Sequence, residues 1–267
     1  PCFGRLAAVF HLAPTNPRHT MKQLLALFLA FACANISPAF AREASGPVPS
    51  FVLPSELRTL PQPMSPTALN RAGFANKEIA ITIDDGPSPT GTPQVLKTLR
   101  EHGVKATFFL VGKNAQRYPE LVKDILREGH SIANHSWDHP NLTKISLEKA
   151  EAQITSTNAV LGKIASEAGY KAEPFFRFPE GAGASDATLK GLLRKHNMAN
   201  FHWAMSAHDS RTKDPQVALD TSIGMIDKYK KGIFLMHETH PAGVGMLPYF
   251  LEELYRRGYK TIYFRAE

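Results

Sequence analysis

Two histidines four residues apart, in the run His135-Ser136-Trp137-Asp138-His139, are close enough on one helical turn or compact loop to converge on one ion. The same spacing also arises in a solvated pair or a helix cap, so taken alone it leaves both readings open. Upstream, Thr82-Ile83-Asp84-Asp85-Gly86-Pro87 sets two acids side by side where an apolar run gives way to a Gly-Pro turn. Asp, Gly and Pro populate turns for local reasons, and one Asp would serve that purpose. A second carboxylate beside the first costs repulsion unless a cation offsets it. The pair therefore invites a metal for one acid and a proton-transfer task for the other, without saying which is which. One Asp and two His with an open position is the make-up of a hydrolytic zinc site.

Such residues need rigid elements to bring them together. Short apolar runs predict strands near 79–84, 105–111, 130–134, 174–178, 199–204, 232–237 and 260–264. Between them, amphipathic patterns predict helices near 92–102, 116–128, 146–168, 185–196, 214–231 and 244–258. Runs such as Ile79-Ala80-Ile81-Thr82-Ile83 and Ile233-Phe234-Leu235-Met236 are nearly continuous and apolar, as parallel strands covered on both faces require. The β/α alternation leaves an open doubly wound sheet or a closed barrel, and both put active residues after the strands' C-terminal ends. Asp84 and Asp85, His135, Arg177, Asp209 and His237 all fall at such ends.

The 267 residues, 43% of them hydrophobic, suffice for one large domain or two small ones. Residues 1–20 precede the first methionine and are read as an upstream, non-native extension. Residues 21–41 read as a signal peptide: Met21-Lys22, an apolar run over 24–32 too short to span a bilayer, and the small-x-small pattern Ala39-Phe40-Ala41. Export to the periplasm or the extracellular space follows, and Ala30-Phe31-Ala32-Cys33 offers lipidation at Cys33 as a minor second exit. Residues 42–77, rich in Pro, Ser and Ala, read as a linker or surface strap, and 78–267 as the catalytic domain. No segment of the body reaches transmembrane length. Both cysteines precede residue 42, which leaves the mature body without disulfide or thiolate chemistry. Cleavage there also removes three basic residues and no acidic one, lowering the formal charge from +7 to +4. With no long basic run, nucleic acid is not an expected partner.

Several motifs in order carry a family resemblance. The segment Thr82-Ile83-Asp84-Asp85-Gly86-Pro87-Ser88-Pro89, then Ala106-Thr107-Phe108-Phe109 with Gly112, then Gly129-His130 leading to Asn134 through His139, resemble the opening half of a polysaccharide deacetylase domain, the NodB-like carbohydrate esterases of family four. The resemblance covers about 78–264 and implies a distorted (β/α) barrel with about seven parallel strands. It implies Asp84 as general base, and Asp85, His135 and His139 as ligands of one divalent metal, zinc first with cobalt second. Arg177-Phe178-Pro179-Glu180-Gly181 is similar to the third motif, which implies that Arg177 orients the base and that the Glu180 amide helps form an oxyanion hole. Leu235-Met236-His237 is similar to the last motif, implying Leu235 in the acetyl pocket, His237 as general acid, and Asp209 as its support.

The departures bear on specificity. The family commonly has an aromatic where Glu180 stands, and Ser206-Ala207-His208-Asp209-Ser210 keeps the supporting aspartate while losing the first acid and the tryptophan of the fourth motif. Trp203 or His208 could supply the missing aromatic wall, with core packing the expected role for Trp203; His240, three residues after His237, could reach the same cleft. The implied reaction is hydrolytic removal of N-acetyl groups from a cell-wall polysaccharide. N-Acetylglucosamine of peptidoglycan ranks first, chitin or its oligomers second and O-acetylated xylan third. A catalytically impaired carbohydrate-binding protein and a hydrolase of small amides are the readings from other classes.

Overall fold

Strand β2 (Glu78–Asp84) shows how the sequence builds the barrel, because its two faces belong to different environments. In the computed structural model, which describes residues 50–52 and 73–266, Ile79, Ile81 and Ile83 point outward into a core shared with Val95, Leu96 and Leu99 of helix α1 (Gly91–Glu101). Each such side chain, once buried, contributes about 1.5–3 kcal/mol. The alternate residues, Ala80, Thr82 and Asp84, face the barrel interior, as period-two alternation dictates. Strands β3 (Thr107–Leu110) and β4 (Ser131–Asn134) alternate in the same way: Phe108, Leu110 and Ile132 outward, Phe109 and Ala133 inward.

The remaining elements are α2 (Gly112–Arg117), α3 (Pro119–Arg127), α4 (Leu147–Glu167), β5 (Phe175–Phe176), α5 (Ala187–Lys195), β6 (Ala199–Asn200), β7 (Met205–Ser206), α6 (Pro215–Tyr229), β8 (Gly232–His237), α7 (Pro241–Arg256) and β9 (Lys260–Arg265). All pairings are parallel, in the spatial order β7-β8-β2-β3-β4-β5-β6. These seven strands form the wall of a distorted (β/α) barrel. It is open between β6 and β7, which do not pair among the described residues. Register sets Asp84 opposite His237, and Thr82 and Ser206 on either side of Leu235.

The last strand closes the floor. β9 pairs with the start of β2 and then crosses beneath β3 and β4, where the Phe264 amide donates to Thr107 Oγ1 (3.1 Å) and Ser131 Oγ donates to the Phe264 carbonyl (2.6 Å). Above it lies a layer of phenylalanines: Phe201 has ring centroids 4.5 Å from Phe175, 4.8 Å from Phe264 and 5.8 Å from Phe109. The apolar floor leaves the polar chemistry to the rim above.

Two boundaries differ from the sequence expectation. Of the strand expected over 199–204 only β6 (Ala199–Asn200) forms, and β7 begins beyond it at Met205, because the chain leaves the sheet at His202 and Trp203, whose rings stack with centroids 4.1 Å apart. The helix expected over 116–128 is two, since Tyr118, at φ −128°, breaks the helical path and Pro119 starts α3. Residues 1–49 and 53–72, including the predicted signal segment, both cysteines and most of the strap, lie outside the described residues. Within the strap, β1 (Ser50–Val52) adds a parallel strand to β9. Among the described residues no helix is long and apolar enough to cross a membrane.

Candidate active site

At the C-terminal rim, Arg177 is the pivot. Its guanidinium is fully buried, 4.0 Å from the centroid of Phe109, and Nη1 donates to Asp84 Oδ1 (2.7 Å) and to Thr82 Oγ1 (2.9 Å). Thr82 in turn donates its hydroxyl to the Phe234 carbonyl (2.7 Å), which leaves its lone pairs for the arginine. The pair sets a buried carboxyl against a buried guanidinium and fixes the orientation of Asp84. Its other oxygen, Oδ2, lies 3.6 Å from His135 Nε2.

Asp85, His135 and His139 converge beside it, with one ligand atom from each within 4.8 Å of the others. Asp85 Oδ1 is 3.3 Å from Nε2 of each histidine and has no hydrogen-bond partner among the described residues. The Nδ1 of His135 lies 2.8 Å from the Arg177 carbonyl, to which it donates, so its Nε2 is the ring nitrogen turned toward the aspartate. Burial works against ionisation of Asp85, but the imidazoles of His135, His237 and His139 outweigh it and hold the carboxyl well below its usual range. Burial and the neighbouring His135 lower His139 below the usual imidazole range, against the pull of Asp85, Asp84 and Glu180. One carboxylate and two imidazole nitrogens converging on a common point, with an orphaned oxygen among them, fit a divalent cation.

Opposite Asp84, His237 is held by Asp209, which is fully buried and takes both the backbone N–H (Oδ2, 2.8 Å) and Nδ1 (Oδ1, 2.8 Å). Burial disfavours the imidazolium, yet the hydrogen bond and charge of Asp209, with Asp84 and Asp85 beyond, push His237 up to about 9. His237 is therefore a proton donor at neutral pH, facing a fixed carboxylate across the strand register.

Glu180 sits in a tight turn with φ 55°, its side chain exposed. The next two amides serve the turn itself, Gly181 to the Phe178 carbonyl and Ala182 to that of Pro179, while the Glu180 amide has no protein acceptor among the described residues. Of the eight described non-glycine residues at positive φ, Asp85, Ser136, His139, Glu180 and His208 lie in the loops at this rim; such strain collects where surrounding structure enforces it for function. Leu235 is buried in β8 beside Thr82. Trp203 packs on the interior phenylalanines, as expected, while its ring centroid also lies 5.7 Å from the Arg177 guanidinium. His240 does reach the cleft, with its ring 5.5 Å from that of His237.

The structure thus gathers all nine sequence-predicted site residues around one rim. It also places there a residue that the motifs do not single out. Glu238 is 1% exposed, and neither carboxyl oxygen has a hydrogen-bond partner among the described residues. It fills the space at Gly86, where any Cβ would overlap its Oε1. Burial, reinforced by the Asp85 charge, pushes its carboxyl up to about 8, so it stands neutral at pH 7 under the Asp85 turn. Its place directly after His237 is the only signal the sequence offers.

Comparison with known proteins matches this geometry. The polysaccharide deacetylase sequence profile matches residues 72–201. A peptidoglycan-N-acetylglucosamine deacetylase of Bacillus cereus is 36% identical over 176 residues, covering 64% of this chain and 60% of that protein, so the chain spans well under its full length. A second B. cereus protein of the same description is 36% identical over 191 residues, covering 70% of this chain and 85% of that one. A solved structure of a peptidoglycan N-acetylglucosamine deacetylase, in complex with an N-oxidanyl-benzamide, superposes with a TM-score of 0.64 at 31% identity, over 71% of this chain and 87% of that one. With the barrel, the Asp-His-His cluster and these relatives in agreement, the chain belongs to the polysaccharide deacetylase family.

Proposed function

We propose that this chain is an exported, metal-dependent hydrolase that removes N-acetyl groups from N-acetylglucosamine of peptidoglycan. The observation that carries the reading is the facing pair, Asp84 oriented by Arg177 and His237 held protonated by Asp209, on adjacent strands beside three convergent ligands. Asp85, His135 and His139 would hold the cation, zinc first with cobalt second on the strength of one carboxylate and two imidazoles. When bound, it supplies Lewis acidity to the acetyl carbonyl and acidity to water.

The residues of the chain do the rest. Asp84 takes a proton from water as the water oxygen attacks the acetyl carbon. The tetrahedral oxyanion accepts the Glu180 N–H, whose freedom from the turn's own hydrogen bonds leaves it available; one such donor is worth about 3 kcal/mol. An amide nitrogen leaves only when protonated, and His237 delivers that proton as the carbon–nitrogen bond breaks, giving acetate and the free amine. Leu235 lines the acetyl pocket, and Glu180 sets an exposed carboxylate at the same rim.

Export rests on the signal pattern over 21–41, and it puts the chain where wall polymers are. Acetate release should be measured on peptidoglycan, chitin oligomers and acetyl-xylan, with metal-free and zinc-loaded protein. The expected order is peptidoglycan, then chitin oligomers, then xylan, each dependent on metal. No release from any polymer at full loading would refute the proposal.

A further inference from the structure

The two ligand loops come from different strands, with His135 50 positions after Asp85 in sequence and β3 between them, and something must set their spacing. The short helix α2 does so from between them. The Val111 amide donates to the Gly86 carbonyl (2.9 Å) and Asn114 Nδ2 donates to the Asp85 carbonyl (3.0 Å), holding the first loop. The Gly112 amide donates to the Ser136 carbonyl (2.9 Å) and the Lys113 amide to that of Trp137 (2.8 Å), holding the second. The approach is so close that a Cβ on Gly112 would lie 2.7 Å from Trp137 Cε3 and 2.5 Å from Thr157 Oγ1, which is why glycine stands there.

From the other side, α4 grips the second loop through Gln153. Its Oε1 accepts the Trp137 amide (2.7 Å) and the Asp138 amide (3.1 Å), while Nε2 donates to Asp138 Oδ1 (2.7 Å). Ser136 and His139 flank these residues at φ 68° and 63°, backbone that favours glycine and persists in other residues only when held from outside. Neither Asn114 nor Gln153 bonds a ligand atom: Asn114 holds loop backbone, and Gln153 holds loop backbone and the Asp138 side chain.

We propose that Asn114 and Gln153 are positioning residues that preset the two ligand loops for the cation before it arrives. The inference rests on the metal-binding reading above, and its test separates the two. The full-length chain, stripped of metal, is titrated with zinc against a competing chelator, and its thermal midpoint is recorded with and without zinc. Asn114→Ala and Gln153→Ala should each weaken zinc affinity by about 10–100-fold while the metal-free midpoint stays near that of the parent protein, since partners that orient ligands typically carry that much affinity. Unchanged affinity in both would overturn the proposal; a parent chain that binds no zinc would instead refute the metal reading beneath it.

A second pair of variants guards against simple misfolding. Gln153→Glu keeps the acceptor for both amides but sets a carboxylate against Asp138, so zinc affinity should fall. Adding Asp138→Asn places a side-chain N–H to donate to the new carboxylate at 153, and affinity should return to within about threefold of the parent, well inside the 10–100-fold loss. If the double variant is no tighter than Gln153→Glu alone, the assigned hydrogen bonds do not set the loop and the proposal fails.

Discussion

At the scale of single residues, the account turns on which groups carry charge. His237 reaches about 9 chiefly because Asp209 offsets its burial. Catalysis that needs the imidazolium is therefore present below that value and lost as pH rises through it. Asp209→Asn should move the alkaline limb of kcat/KM to lower pH by about 1–3 units and reduce the rate by about 10²- to 10⁴-fold, read from a pH profile of acetate release. Glu238 behaves oppositely in its effect on stability. An acid near 4.3 in an unfolded chain and near 8 when folded stabilises the fold fully at low pH, and the contribution fades as pH rises from about 4.3 through 8. Glu238→Gln should therefore gain thermal midpoint over the parent at pH 9 and show little gain at pH 4, in melts at both pH values. The motif residues were legible because their types are unusual for their positions: paired acids, an H-x-x-x-H run, an arginine at a strand end. Thr82, Asn114, Gln153 and Glu238 were not, since a threonine in a strand or a glutamine on a helix carries no pattern until the fold brings it to a loop.

At the scale of elements, nearly continuous apolar runs predicted the barrel strands well where they are long, as in β2 and β8. That pattern failed at 199–204, where Phe201 faces inward as a strand residue should while His202 and Trp203 have already turned toward Arg177. Local pattern does not reveal that the chain leaves the sheet there, because the cause is a long-range contact. Phe201 holds the floor beneath Arg177 through three phenylalanine neighbours. Its replacement by alanine should cost about 3–5 kcal/mol in chemical denaturation, with the loss falling on stability in the metal-free protein as much as in the loaded one.

At the scale of the whole molecule, the β/α alternation in the sequence narrowed the architecture to an open sheet or a barrel, and the family motifs chose the barrel. What neither gave is its opening between β6 and β7 or the way β9 runs under the floor, both of which depend on side chains of distant strands meeting the backbone. A cation bound by the folded chain alone stabilises the whole domain by mass action. Zinc at about 100 times its dissociation constant should add about 2.7 kcal/mol, raising the thermal midpoint by roughly 5–10 °C, and chelation should reverse it. Replacing Asp85 with alanine should abolish that gain in the same calorimetric comparison.

The central claim is that Asp84 acts as base beside a cation held by Asp85, His135 and His139. It is tested most directly by titrating the metal-free full-length chain with zinc while following acetate release from N-acetylated peptidoglycan, in parallel with Asp84→Asn. The account predicts release that saturates at a single equivalent of zinc in the parent chain, and zinc binding without release in the variant. Release that persists without metal, or that survives Asp84→Asn, would contradict it.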